Sequence, residues 1–239
     1  MQKALRAVAL PPDVPQCVEV WHLDTRRPDL LHAALKLLSE NELARHQRYM
    51  DRATALRFAL TRATLRTLLA DRTGRKAAEL SFDYGRHGKP QLVSGADTAV
   101  HFSVAYSGQH TLLALSDKYQ MGVDIENSRS PRVLASLAQK LLSSREKSCC
   151  PDLYSESFPR LWTGKESVIK SWGWGSDDPI SALSVLPGKG LRYVIRYDET
   201  PVTQTRAWTL DVMQGHAAAL ALSRQPLKAA QPEAVLSRA

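Results

Sequence analysis

Cysteine is scarce in this 239-residue chain, which holds only Cys17, Cys149 and Cys150. The last two are adjacent and poorly placed to bridge each other, so no disulfide framework is expected, and no C-x-x-C spacing suggests zinc. Long hydrophobic runs are missing too. Nowhere do 18 apolar residues follow one another, which excludes a helical membrane span. The short run Ala7-Val8-Ala9-Leu10, ahead of Pro11-Pro12, cannot serve as a secretory signal core. The expectation is a reduced, cytoplasmic protein. Acid is also in deficit: 24 Asp and Glu against 32 Lys and Arg leave a formal net charge of +8. That balance favours an anionic partner, whether nucleic acid, nucleotide, anionic membrane or acidic protein.

What is present is an ordinary globular composition, 44% hydrophobic and 23% charged, and enough length to bury a core as one large domain or two small ones. Val18 to Leu23 alternates like a strand, and Leu30 to Leu38 reads as a short helix. Ser39 and Glu42 then form a capping box for the next helix. A stripe of Leu56, Leu60, Leu65, Leu68 and Leu69 predicts a helix that ends near Gly74. Arg45, Arg48, Arg52, Arg57, Arg62, Arg66, Arg72 and Arg75 spread over these helical turns as a basic face, for which simple solvation is an equally open reading. Strands are expected at Leu80 to Tyr84, Val100 to Ala105 and Thr111 to Ser116, separated by turn signals at Gly85 to Pro90 and at Ser107-Gly108.

The second half repeats that order. A strand over Met121 to Glu126 precedes helices over Val133 to Leu142 and from about Glu156 to Trp172. Strands follow at Ile180 to Leu186, Leu191 to Tyr197, Ala207 to Met213 and Ala217 to Ser223. We read an α+β protein of two similar halves related by a pseudo-twofold, 1–118 and 119–239, with the ligand site in the cleft between them. Tyr84 to Gly88 and Gly173 to Asp178 are the expected functional loops. The tail after Gln225 is expected to fray.

Two stretches carry the chemistry. In Met121-Gly122-Val123-Asp124-Ile125-Glu126, period two sends Asp124 and Glu126 to the same side of a strand. In Trp162-Thr163-Gly164-Lys165-Glu166-Ser167-Val168-Ile169-Lys170, helical spacing stacks Glu166 and Lys170 one turn apart. Three carboxylates and a lysine brought together would cage a hard divalent cation with a proton donor beside it, which suits chemistry at a phosphate. The patterns alone also fit a solvated strand face and a surface ion pair. Charges set among Val123, Ile125, Trp162, Trp172 and Trp174 favour the functional reading.

The ordered set, from Gly122 to Glu126 and then from Trp162 through Ser171-Trp172-Gly173-Trp174-Gly175, resembles the paired signatures of the 4′-phosphopantetheinyl transferases, most closely the single-chain surfactin-synthetase type. Gly88-Lys89-Pro90 and Phe102-Ser103-Val104-Ala105-Tyr106-Ser107-Gly108 fall where that family has its Gly-Lys-Pro and Phe-Asn-x-Ser-His-Ser segments. The resemblance spans about Ser39 to Gly175. It implies transfer of the phosphopantetheine arm of coenzyme A to a serine of an acyl or peptidyl carrier protein, with release of adenosine 3′,5′-bisphosphate. It implies Asp124, Glu126 and Glu166 as Mg²⁺ ligands, Glu166 as the proton acceptor and Lys170 as the partner of the leaving bisphosphate. Lys89, Lys165 and Lys170 would contact phosphates, and Ala105 and Tyr106 would lie along the coenzyme. The family usually has histidine where Tyr106 stands, and Tyr106 cannot carry positive charge near neutral pH. Arg52 and Arg57 are the expected compensating charges, with solvated arginines as the alternative.

The basic charge would then attract both coenzyme A and an acidic apo carrier protein. The segment from Pro131 to Tyr154 lies where the family presents its carrier-facing helices. A monomer is expected. Two other readings stay open at this stage: a Mg²⁺-dependent phosphohydrolase acting on nucleotides or coenzyme A, and a basic nucleic-acid-binding module. The latter lacks the interleaved aromatics that base stacking requires.

Overall fold

The computed structural model describes residues 4–93, 99–127, 139–153, 155, 157–175 and 177–224. In chain order the first half runs β1 (Leu5–Ala7), β2 (Val18–Asp24), α1 (Leu31–Leu35), α2 (Glu40–Gln47), α3 (Arg52–Thr73), β3 (Phe82–Tyr84), β4 (Pro90–Leu92), β5 (His101–Ser107) and β6 (His110–Ser116). The second runs β7 (Gln120–Asn127), α4 (Ser144–Cys149), α5 (Phe158–Trp172), β8 (Leu183–Pro187), β9 (Tyr193–Tyr197), β10 (Thr200–Pro201), β11 (Thr205–Leu210) and β12 (His216–Ser223). The expected α+β order is therefore present. Helix Leu30 to Leu38 is shorter than expected: past Leu35 the backbone tightens into turns in which the Leu37 and Leu38 N–H groups donate to the Ala34 and Leu35 carbonyls. The helix expected over Val133 to Leu142 and the tail after Gln225 lie largely or wholly outside the described residues, whereas the Pro131 to Tyr154 segment is described over 139–153 and carries α4.

The two main sheets share one connectivity. Their orders are β1-β2-β6-β5 and β11-β12-β7, antiparallel throughout. In each, the first long strand (β2 or β7) pairs with the last (β6 or β12), which pairs in turn with the strand before it. The strands after α5 do not form a single sheet. β8, β9 and β10 make a sheet of their own. Leu183, Val185 and Ile195 of that sheet pack with Val168, Ile169 and Trp172 of α5, giving it a separate apolar face to bury. The start of the strand expected at Ile180 is a single 3-10 turn following Pro179.

Local signals set the helix ends. The Ser39 hydroxyl accepts from the Glu42 N–H while the Glu42 carboxylate accepts from the Ser39 N–H, the capping box read from sequence. Asp51 caps α3 by accepting from the Thr54 N–H at 2.8 Å, and Gly74, at φ 68°, ends it in the left-handed region. Leu60, Leu65 and Leu69 of α3 pack onto Leu23, Phe102, Leu113 and Leu115 of the first sheet. The arginines of α3 do not form one solvated face: Arg62 is 8% exposed and Arg66 1%.

The second core joins the halves. Val20, Leu112 and Ala114 of the first sheet meet Met121, Val123, Ile125, Leu220 and Leu222 of the second. The Ser103 hydroxyl accepts from the Val123 N–H at 3.1 Å. Each large apolar side chain in this layer contributes roughly 1.5–3 kcal/mol by burial. β7 is thus apolar on the face that seals the halves together, while its opposite face, bearing Gly122, Asp124 and Glu126, turns to α5. Across from those three, β12 supplies Ala221, Ala219 and Ala217. Small side chains on both strands let α5 lie close. No described helix is long and apolar enough to cross a membrane.

Candidate active site

Close approach of α5 to β7 sets the central contact. Lys170, in the last turn of α5, donates to Asp124 Oδ1 at 2.6 Å. The other oxygen, Asp124 Oδ2, is buried and has no hydrogen-bond partner among the described residues. Glu166, one turn back on α5, lines the same cleft as Lys170. Burial raises the carboxyls of Asp124 and Glu166 above the usual carboxylate range. Burial, reinforced by Asp124 and with Lys170 opposing, also raises Glu126, to about 7. Burial opposes charge on Lys170, but Asp124 and Glu166 together hold it above the ordinary lysine value. Three coupled carboxyls share one ammonium, so the site is short of positive charge.

Among the described residues no three His, Cys, Asp or Glu side chains close into a finished cation cage. The donor set still fits a hard divalent ion. Its ligands would be carboxylate oxygens, one of them already orphaned and buried, with room left for phosphate oxygens and water.

The cleft that Glu166 and Lys170 line encloses about 640 Å³ between the halves. Arg45, Tyr49, Arg57, Phe58 and Arg62 line it from the α2 and α3 side, Tyr84, His87 and Lys89 from the β3–β4 hairpin, and Trp174 and Gly175 from the turn after α5. The two loops expected to be functional meet here. His87 Nε2 lies 2.9 Å from Asp178 Oδ2, which also accepts from the Gly175 N–H at 2.7 Å. A Cβ on Gly175 would stand 2.9 Å from the His87 Cβ and closer still to its ring, so this turn needs glycine for proximity. Lys89 is half-buried, and its ammonium donates to the carbonyls of Met121 at 2.8 Å and Lys170 at 2.7 Å. Burial and Lys170 lower its pKa to about 8. Lys89 therefore pins the hairpin against both site elements while it lines the cleft.

The sequence-derived residues divide accordingly. Asp124 and Lys170 are in contact, coupled electrostatically to Glu126 and Glu166, and Lys89, Arg57 and Tyr106 line the cleft. Tyr106 is 56% exposed, with the Arg57 guanidinium 5.1 Å from its ring centroid, and Arg57 also donates to the Gly108 carbonyl at 2.7 Å. Three residues are placed otherwise. Arg52 is exposed on the first turn of α3 and does not line the cleft. Ala105 is buried in the core shared by the halves, because strand alternation turns it away from Tyr106. Lys165 is fully buried on the far side of α5 from the cleft. Its ammonium donates to Glu146 Oε2 at 2.6 Å and to the Leu183 carbonyl at 2.5 Å. Adjacent helix positions point about 100° apart, so Lys165 cannot share the face of Glu166 and Lys170.

Glu146 is fully satisfied in that pair, accepting also from the N–H groups of Ser143 and Val185. Lys165→Met is therefore expected to destabilise the fold by about 3–5 kcal/mol, since it strands a buried carboxylate. Chemical denaturation measures this, and Lys165→Met with Glu146→Gln should recover most of it. A variant that keeps full stability but loses phosphate affinity would instead return Lys165 to the binding site. Arg45, Tyr49, Arg62 and His87 were not singled out as cleft residues from sequence. Arg45 and Arg62 carried a signal only as members of the basic helical face and His87 through its place in the Gly85 to Pro90 turn, while Tyr49 carried none.

The sequence profile of the 4′-phosphopantetheinyl transferase superfamily matches residues 120–221. The chain is 32% identical over 197 residues to a Synechocystis protein described as a candidate 4′-phosphopantetheinyl transferase, covering 80% of this chain and 78% of that one. It is 32% identical to the 4′-phosphopantetheinyl transferase HetI of Nostoc, over 66% of this chain and 69% of HetI. With the 4′-phosphopantetheinyl transferase Sfp of Bacillus subtilis it shares 25% identity over 63% of this chain and 67% of Sfp.

Proposed function

The chain belongs to the 4′-phosphopantetheinyl transferase superfamily, and on that premise we propose that Asp124, Glu126, Glu166 and Lys170 perform its transfer of phosphopantetheine from coenzyme A to a carrier-protein serine. The observation that carries this reading is the buried, unpartnered Asp124 Oδ2 beside the Lys170 ammonium, at the edge of a basic cleft. Asp124, Glu126 and Glu166 would hold Mg²⁺, which when bound neutralises charge on the pyrophosphate.

Coenzyme A lies in the cleft with its pyrophosphate at the Lys170 end. The carrier serine oxygen attacks the phosphorus that bears the pantetheine arm. That forms the serine phosphodiester and breaks the bond to the bridging oxygen, which leaves on adenosine 3′,5′-bisphosphate. Glu166, whose pKa burial raises, accepts the serine proton. Lys170, held charged by its two carboxylates, donates a hydrogen bond to the departing phosphate oxygen. Lys89 fixes the distance between the hairpin wall and these groups through its two carbonyl contacts. Positioning and charge neutralisation supply most of the rate, as in other transfers at phosphorus.

Mass spectrometry of apo carrier proteins incubated with the chain, coenzyme A and Mg²⁺ tests this, with a panel spanning fatty-acid, polyketide and nonribosomal-peptide types. A gain of one phosphopantetheine on the carrier, lost when Mg²⁺ is chelated, is the expected result. Free phosphopantetheine released at the same rate with or without carrier would replace the transferase by the phosphohydrolase reading.

A further inference from the structure

The β3–β4 hairpin is held at its base by one half of the molecule and at its tip by the other. Its two strands form a sheet of their own, separate from both main sheets. At the base, Phe82 and Leu92 pack on the core of the first half, where the Phe82 ring meets Phe102 edge-on at 5.8 Å. Arg75 donates to the Val93 carbonyl just beyond. The tip turns at Gly88, whose φ is 74°, and reaches over to the second half. There His87 Nε2 lies 2.9 Å from Asp178 Oδ2, and Lys89 donates to the carbonyls of Met121 and Lys170. A carboxylate has no hydrogen to give, so Nε2 carries the proton in the bond between His87 and Asp178.

The two attachments differ in kind. Releasing Phe82 and Leu92 would expose apolar surface to water, so the base is a fixed anchor. The contacts at the tip are polar, and water can replace either partner when they part. An isolated two-stranded hairpin is marginally stable by itself, so these tip contacts decide where this one rests. Asp178 is prepared for His87 from its own side. Its Oδ2 accepts from the Gly175 N–H at 2.7 Å, and its N–H donates to the Gly175 carbonyl at 3.1 Å. That closed turn holds the carboxylate in place with or without His87. Tyr84, His87 and Lys89 of the hairpin line the cleft on one side, and Lys170, Trp174 and Gly175 line it on the other. The tip contacts therefore run from wall to wall of the space that a substrate must enter and a product must leave.

We propose that the β3–β4 hairpin is a flap, latched by His87 and Asp178, that lifts from the turn after α5 to admit coenzyme A and release adenosine 3′,5′-bisphosphate. This rests on the transferase reading above. Asp178 is a positioning residue: it acts by holding His87, and with it Tyr84 and Lys89, over the cleft. The motion is a bend beyond Phe82 and Leu92, with α3 and the main sheets left in place. Loosening the latch speeds ligand exchange but does not move Asp124, Glu166 or Lys170. In many enzymes such opening, and not chemistry, sets the turnover rate.

A reversible cross-link tests the flap. A Cβ on Gly175 would stand 2.9 Å from the His87 Cβ. A disulfide wants about 3.8 Å between these atoms, so a shift of about 1 Å seats one. The variant is His87→Cys/Gly175→Cys with the exposed Cys149→Ser, and peptide masses confirm the bridge. Oxidised, it should transfer to a carrier and release adenosine 3′,5′-bisphosphate about tenfold or more slowly than when reduced, with both rates restored by dithiothreitol. Equal rates in the two redox states overturn the flap. Asp178→Asn tests the latch without new cysteines. It should speed bisphosphate release about tenfold and raise KM, with kcat unchanged or higher. A fall in kcat at an unchanged release rate makes Asp178 merely structural and overturns its role. If the unaltered chain modifies no carrier, the transferase reading fails, and stopped-flow release of coenzyme A from the oxidised and reduced protein still decides the flap. Binding of coenzyme A by no form of the protein overturns both.

Discussion

Gly122→Ala is expected to lower stability by about 3 kcal/mol or more, a fall in Tm of roughly 6–12 °C for a chain of this size. Gly122 sits on β7 directly beneath α5. An added Cβ would stand 2.7 Å from the Ser171 backbone nitrogen and 2.8 Å from the Lys170 Cβ, and would collide with the Ser167 carbonyl oxygen. Two of these three are main-chain atoms of a helix, so no rotamer change relieves the clash and α5 as a whole must move out. That movement separates Glu166 and Lys170 from Asp124, so the soluble fraction should transfer far more slowly than its folded content allows. Gly74→Ala is the control. Its φ of 68° carries strain, but an added Cβ there meets nothing within 4 Å and the residue does not line the cleft, so a loss near 1 kcal/mol with the site undisturbed is expected. Calorimetric melts and the carrier mass-shift assay on both variants decide the matter. A Gly122→Ala protein melting within 2 °C of the parent, with full activity, would show that the helix–strand spacing is not the constraint described.

Asp124→Asn should lower kcat about 10³-fold while the chain stays folded. The substitution keeps the shape of the side chain but removes a charge that orients Lys170 at 2.6 Å and leaves an oxygen free for a cation. Because burial already raises the Asp124 carboxyl, the ionised form is a burden on the fold, and neutralising it should cost little stability. Mg²⁺ gives a readout independent of turnover. Binding only to the folded state, it should raise the Tm of the parent chain, with a gain near 2.7 kcal/mol at a hundred times its Kd. The same addition should leave the melting of Asp124→Asn nearly unchanged. Transfer by Asp124→Asn within tenfold of the parent, or an equal Mg²⁺ shift in both proteins, would remove Asp124 from the metal site.

The candidate site was legible where chemistry follows local period. Alternation along β7 put Asp124 and Glu126 on one side, and the spacing of α5 put Glu166 and Lys170 on one face, because both are properties of a regular backbone. Cap and turn residues were legible for the same reason: Ser39, Glu42 and Gly74 act on atoms within a few residues. Lys165 was misplaced because a neighbour in a motif is not a neighbour in space. Its partner, Glu146, is 19 residues away, and only the packing of α4 beside α5 brings the two together. Ala105 was expected beside the coenzyme on the resemblance alone, whereas strand alternation turns it into the core away from Tyr106. The arginines of α3 look alike along the chain, yet Arg66 is satisfied by carbonyls, Arg57 stacks on a tyrosine and Arg62 keeps a free donor.

The sequence by itself determined the element order, the duplicated plan and the acid and lysine residues of the two signature stretches. It also determined family membership, since these depend on residue type and spacing. The tertiary structure decided which cation faces the cleft and which is locked in the core. The physical reason is that burial, ion pairing and desolvation depend on groups distant in the chain. Their balance at Glu42, Arg62 and Arg66, or at Asp124 and Lys170, exists only once α2 meets α3 and β7 meets α5.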